Sequence, residues 1–160
     1  MHLTSLPGKY GTGVMGKEAK QFIDRLFAMD FHLWQVLPLN PVDMSGSPYC
    51  SVSAFAGNIS LIDPLALFES GLITEEELRE NEYHGSIYVT DSAFAYSKRT
   101  ETLRKAFSRI TDDDRQLIFL FLEQNSWVKD YAVFMALKAF HEDKPWWEWD
   151  EKFVRYEKAV

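Results

Sequence analysis

One cysteine, Cys50, in 160 residues leaves no pair for an internal disulfide and no thiol cluster for a metal or a redox couple. A reducing cytoplasm is therefore the expected compartment. Long apolar runs are missing too. None approaches the ~18 residues that cross a bilayer, and the opening MHLTSLPGKYG has no charged-then-apolar pattern, so neither a membrane span nor a secretory leader is expected. Positive charge is scarce: the net charge is −7 and the basic residues are dispersed among acidic ones, which excludes a nucleic-acid phosphate surface. No internal repeat or low-complexity linker marks a second autonomous domain. What is present is a globular composition, 46% apolar and 15% aromatic, sufficient to fill a core.

The stretch that stands out is Leu37 to Asn58, LPLNPVDMSGSPYCSVSAFAGN. Pro38, Pro41, Gly46 and Pro48 interrupt every apolar period in it, so it reads as a long loop. Its aromatic content separates it from a disordered linker and points to an ordered surface. Within Ser47-Pro48-Tyr49, proline fixes its own φ and holds the preceding residue extended, so the Tyr49 ring is offered from a stiff backbone. A preset phenol suits a sugar ring, whose C–H face stacks on the aromatic plane while its hydroxyls find polar partners. The alternative from chemistry alone is a half-buried tyrosine that pins the loop to the core.

Before this loop, four glycines and Pro7 in Leu3–Gly16 exclude regular structure beyond a few extended residues. Gly11-x-Gly13-x-x-Gly16 follows no complete strand and lacks the GK[ST] of a phosphate loop, so it carries no nucleotide reading. Phe22, Ile23, Leu26 and Phe27 recur at helical steps from Lys17 to about Asp30, and His32–Leu37 reads as a strand. His32 has no second ligand at metal spacing and is assigned no chemistry. Ile59–Pro64 reads as short extended chain, followed by a helical piece that stops at Gly71. Thr74-Glu75-Glu76-Glu77 reads as a capping box whose acids serve the helix start and not catalysis. Asn81–Thr90 is polar, then briefly extended.

Helical spacing returns over Ser92–Ile110, Asp112–Asn125 and Ser126–Phe140. Asp112-Asp113-Asp114 fits a helix N-terminus, because adjacent side chains on a helix do not converge on a metal. In the last of these helices Trp127, Tyr131, Phe134 and Met135 are expected to be core. Trp146, Trp147 and Trp149 cannot all point inward from one short turn, so a partner surface or a sugar platform is expected there. Asp150–Val160 reads as a charged, fraying helix.

In this order and at these separations, LTSLPGKYGTGVMGKEA, WQVLPLNP, GSPYCSVSAFAGN, DYAVFMALK and KPWWEW resemble the amino-terminal part of 4-alpha-glucanotransferases, also called amylomaltases or disproportionating enzymes. The resemblance covers nearly the whole chain. It implies an α/β class: the amino-terminal portion of a (β/α)8 TIM barrel of the α-amylase superfamily, incomplete, helix-rich and carrying mostly helical insertions. Residues 1–160 are then a single partial domain, with first barrel elements and a substrate-wall loop in 1–58 and a mainly helical insertion region in 59–160.

The implied activity is transfer of α-1,4-glucan segments between maltooligosaccharides by a retaining double displacement, with no dissociable cofactor and no metal. Carried onto this sequence, the resemblance makes Tyr49 the aromatic that stacks on the glucose beside the scissile bond, Ser47 a neighbouring polar contact, and Tyr96 part of an outer glucan groove. Asp43-Met44-Ser45-Gly46 stands where relatives carry Gly-Tyr-Gly-Asp, so a loop-borne outer contact is lost. No position matches the family's three active-site acids, and the length falls short of the ~250 residues that close a barrel. A fragment without catalytic residues, inactive alone, is therefore expected. The alternative is a non-catalytic maltooligosaccharide-binding module, or one that self-associates through Trp146, Trp147 and Trp149.

Overall fold

Among the residues described in the computed structural model, 1–43, 46–86 and 88–155, the chain forms α-helices, short 3-10 turns and irregular loops, and no strand. It divides into two compact units, Met1–Asp112 and Asp113–Val160. No helix among the described residues is long and apolar enough to cross a membrane.

The first unit is built on a small apolar cluster. Leu3, Leu6, Ala19 and Leu61 are buried together, with Phe22, Trp34 and Leu39 packed against them. Helix α1, Lys17–Ala28, supplies Ala19 and Phe22, and the Phe22 ring meets Trp34 edge-on at 4.9 Å. The N-terminal segment is tied into this cluster by its backbone: Gly13 N–H donates to Thr4 C=O and Met15 N–H to Leu61 C=O. Trp34 also donates its indole N–H to Met1 C=O, at 2.8 Å.

After α1 the chain turns at Asp30, whose φ of 64° is left-handed, and then runs extended past Leu33, Val36 and Leu37. The strand read at His32–Leu37 is therefore corrected to an extended segment. A strand exists only as half of a hydrogen-bonded pair, and among the described residues no ladder forms along this run. The run is open, with Leu33 91% exposed. Ile59–Leu61, expected to be extended, is instead a 3-10 turn, because the Asn58 side chain accepts from Ser60 N–H and closes it.

Three further helices complete this unit. Helix α2, Pro64–Glu69, starts with proline at its first position under an Asp63 cap. Helix α3, Glu75–Arg79, carries the expected capping box, with Thr74 Oγ1 accepting from Glu77 N–H and Glu77 accepting from Thr74 N–H. Helix α4, Ser92–Phe107, is capped by Asp91 and buries Ala95, Arg99, Thr102 and Ala106, a stripe at helical spacing.

Arg99, one of α4's basic residues, is fully buried. Its Nη1 donates to Asn81 Oδ1 at 2.8 Å, and its guanidinium lies over the Tyr10 ring at 5.7 Å. The Asn81 amide donates to Thr102 Oγ1 and to Glu77 C=O. Burial draws the Arg99 pKa down to about 10, opposed by Asp63 and Tyr10 nearby.

The second unit holds α5, Asp112–Gln124, and α6, Trp127–Phe140, close to their expected bounds, and α7, Glu151–Val154. The rest of the expected terminal helix, 156–160, lies outside the described residues. Contrary to expectation, no residue of α6 is fully buried. Its apolar residues run all round the helix, so one packing face cannot cover them, and a unit this small has little chain with which to do so. Trp149 is the buried member of the tryptophan cluster: it stacks on His141 at 5.2 Å and donates to Lys144 C=O. Trp146 and Trp147 are 51% and 64% exposed and meet edge to face.

Two outcomes test this packing. Asn81→Ala removes the acceptor of a buried guanidinium and should lower the unfolding free energy by about 3 kcal/mol, read by urea denaturation. Glu77 is held down to about 2, from 4.5, chiefly by its hydrogen bonds from Arg109 and also by Thr74 N–H. A carboxylate with a lowered folded pKa adds stability above its unfolded value and loses it as pH falls. Glu77→Gln should therefore melt below the parent at pH 7, and the gap should close as pH drops from 4.5 toward 2.

Candidate functional site

The long loop is ordered by its own short-range bonds. Asn58 N–H donates to Leu39 C=O at 2.8 Å and closes its neck, and the Asn40 amide donates to Ser53 C=O across it. Ser53 Oγ accepts from both Phe55 and Ala56 N–H. Nearer the tip, Asp43 N–H donates to Cys50 C=O.

The tip itself is a tight turn. Cys50 N–H donates to Ser47 C=O at 3.2 Å, with Pro48 and Tyr49 in the two central places. Proline presets φ for the first of these. Ser47 Oγ accepts from Tyr49 N–H at 3.3 Å, so the serine that precedes proline also braces the tyrosine backbone. Tyr49 is 73% exposed, more open than the alternative of a half-buried tyrosine pinning the loop to the core. The same loop offers a second ring that the sequence reading gave no role: Phe55, 77% exposed.

Gly46 fixes where the turn sits. Its φ is 71°, a left-handed conformation that glycine adopts without a steric penalty. A Cβ built on it would stand 3.5 Å from Ser92 Oγ, so the turn lies beside the first residue of α4. Tyr96 is four residues along α4 from Ser92, hence on the same face, and is about half exposed. The fold thus brings the Ser47–Tyr49 turn and the Tyr96 face of α4 to one region of the first unit. Met44 and Ser45, within the Asp43–Gly46 stretch where the resemblance implies a departure from the family pattern, lie outside the described residues.

This surface has aromatic faces and small hydroxyls, and several carboxylates of the first unit are committed to caps and ion pairs. Asp91 caps α4, Asp63 caps α2, Glu77 holds Arg109 and Glu82 holds Lys9 at 2.8 Å. His32 faces Asp30 at 3.2 Å with both side chains exposed. Among the described residues no three His, Cys, Asp or Glu side chains gather as a metal-holding group. The chemistry on offer is stacking and hydrogen bonding. A separate open concavity of about 560 Å³, bordered by Phe22, Leu26 and Leu33–Leu37, is mainly apolar and lies against the unpaired extended segment.

Comparison with known proteins agrees over the full length. The profile of the 4-alpha-glucanotransferase family matches residues 1–160. A 4-alpha-glucanotransferase of Aquifex aeolicus is 45% identical over 100% of this chain and 32% of its own length. The 4-alpha-glucanotransferase of Thermus thermophilus is 38% identical over 100% of this chain and 33% of its own. Among solved structures, amylomaltase from Streptococcus agalactiae in complex with acarbose superposes with a TM-score of 0.93 at 38% identity, covering 99% of this chain and 32% of that one. The chain thus spans about a third of the length of the curated relatives it matches.

The placement of the turn is open to direct test. Gly46→Ala forces a side chain into left-handed geometry and should cost about 1 kcal/mol of stability. In amide-resolved NMR its shift changes should cluster in residues 43–50 and at the start of α4; changes spread through α1 instead would place the turn elsewhere.

Proposed function

The chain belongs to the 4-alpha-glucanotransferase family, and from that premise we propose that it forms one wall of a cleft in which α-1,4-glucan segments are moved between maltooligosaccharides by retaining double displacement. In that chemistry a carboxylate takes the glycosyl group while a second carboxylic acid protonates the departing oxygen, then activates the acceptor hydroxyl. The two carboxyl groups stand about 5 Å apart across the scissile bond. The wall's task is to hold the sugar against them.

The observation that carries this reading is the exposed Tyr49 ring on a turn stiffened by Pro48 and braced by Ser47. Ordering such a ring on binding costs little, so most of the stacking energy is left for affinity. Tyr49 takes the glucose next to the scissile bond, Ser47 contributes a polar contact, and Tyr96 serves an outer glucan groove. In barrel terms, α1 and the extended run 33–37 belong to the opening units of a (β/α)8 barrel, residues 1–58 carry the wall, and 59–160 form the helical insertion region. The order of helix α1 and then the apolar run 33–37 supports this reading, because the open edge of Leu33–Leu37 is what a barrel strand without its neighbours would show. With a single cysteine, the cytoplasm is the proposed location.

A second reading follows from Trp146 and Trp147, whose exposed rings make an aromatic patch on the second unit. That patch serves either as a non-catalytic maltooligosaccharide platform or for self-association, with Trp149 withdrawn from it. Sedimentation separates the two: a concentration-dependent dimer lost in Trp147→Ala supports association, and a clean monomer removes it.

The main proposal is tested by titrating the isotope-labelled chain with maltotriose. Shifts at Ser47–Cys50 that vanish in Tyr49→Ala are expected, and silence there up to roughly 10 mM sugar would overturn the wall assignment. The chain alone should leave maltotriose unchanged, because none of its acids stands at a position matching the family's three active-site acids. Appearance of longer and shorter maltooligosaccharides would refute that part.

A further inference from the structure

The first unit has another concavity, of about 340 Å³, that neither Ser47, Tyr49 nor Tyr96 lines. It opens where the loop of residues 4–12 faces residues 83–86 and 88–90. Its walls are clamped by backbone bonds on either side: Tyr83 N–H donates to Lys9 C=O at 2.7 Å, and Asp91 N–H to Gly11 C=O at 2.8 Å. A third bond, Thr90 Oγ1 to Thr4 C=O, crosses between the same two loops.

The lining is rich in hydroxyls. Thr4, Ser5, Thr12, Ser86 and Tyr88 all contribute, and no charged side chain takes part. A cleft without a cation is poorly made for phosphate, and one without carboxylate or imidazole is poorly made for a metal. Thr12 is 6% exposed, and its Oγ1 is buried with no hydrogen-bond partner among the described residues. An unpaired buried hydroxyl costs about 1–3 kcal/mol, and this one belongs to a residue of the cleft wall. Tyr88, 92% exposed, presents a nearly bare ring at the same cleft. Flat aromatic surface, several neutral hydroxyls and no charge together fit one class of ligand, a neutral polyhydroxylated ring.

We infer that this cleft is an additional glucosyl-binding subsite. The inference rests on the glucan reading for the kind of sugar, but its position is independent of the Tyr49 turn. The two places are connected through the start of α4: Gly11 at the cleft pairs with Asp91, and Gly46 of the turn stands beside Ser92. A maltooligosaccharide running past those adjacent residues is held at both, which gives longer donors or acceptors an advantage over short ones.

Two variants isolate the cleft. Tyr88→Ala removes an exposed ring and leaves the fold intact. Gly85→Ala deletes no ligand contact, but its Cβ would overlap the Tyr83 phenol ring, which must swing and reshape the wall. In the labelled chain, maltotriose should shift amides of Thr12 and Ser86 as well as those of Ser47–Cys50. Either cleft variant should weaken the Thr12 and Ser86 response roughly tenfold while leaving that at Ser47–Cys50 in place. Tyr49→Ala should do the reverse. Shifts at the Tyr49 turn with none at Thr12 or Ser86 would overturn the subsite alone. Silence at both would overturn it together with the glucan wall, and cleft shifts unaffected by both variants would show that the sugar does not enter between the loops.

Discussion

A guanidinium sealed away from water sets the arrangement of the first unit. Charge of this kind is expensive to bury, and Arg99 is held by one good acceptor on Asn81, the face of the Tyr10 ring and the field of Asp63. These partners come from different parts of the chain. Tyr10 belongs to the glycine-rich N-terminal loop, Asp63 caps α2, Asn81 follows α3, and Arg99 lies on α4. Because the charge tolerates few alternative surroundings, the four segments are held in one arrangement. The N-terminal end of α4, where the Tyr49 turn and the hydroxyl-lined cleft meet, is placed by that constraint.

Local signals explain most of what the sequence made legible. The Thr74 capping box, the stop at Gly71 and the bounds of α5 and α6 are decided by residues within a few positions of one another, so pattern reading recovers them. The helix-rich character and the resemblance carried by the SPY and SAFAGN segments also hold against the family match. His32–Leu37 fails for the opposite reason. Its apolar composition is that of a strand, but pairing depends on a partner that sequence neighbours cannot supply. Arg99 was illegible because a charged residue at i+4 from Ala95 looks like the solvent side of an amphipathic helix. Its burial follows from Asn81, 18 residues upstream. In α6 the expected residues Trp127, Tyr131, Phe134 and Met135 are half-buried and only the depth of burial falls short, because apolar residues on every side cannot all be covered within a small unit.

At the proposed site, the difference lay between an element and its placement. Pro48 made a stiff turn predictable, and the Ser47 hydroxyl on Tyr49 N–H adds a brace of the same local kind. That this turn stands next to Ser92 could not be read from the loop, although Gly46 was a clue: a left-handed glycine just before the motif steers the chain against α4. The cleft beside Tyr88 was less accessible still. It joins Thr4–Thr12 to residues some eighty positions later, and each hydroxyl alone is unremarked surface.

Both proposed sugar surfaces have rings and hydroxyls where an enzyme site often has charges, and this has a consequence for the chemistry proposed across the cleft. A double displacement needs one carboxyl group ionised and its neighbour protonated at the same pH, a split created by their mutual field and surroundings. A fixed charge on the opposite wall would move both, favouring ionisation if positive and protonation if negative. Arg99, a full charge on α4, is fully buried, and Lys9 is paired with Glu82. A wall so neutralised grips glucan by shape and dispersion while leaving the tuning of the reacting acids to the polypeptide that carries them. The same neutrality makes affinity grow with each stacked glucose and not with ionic strength, as suits an uncharged polymer.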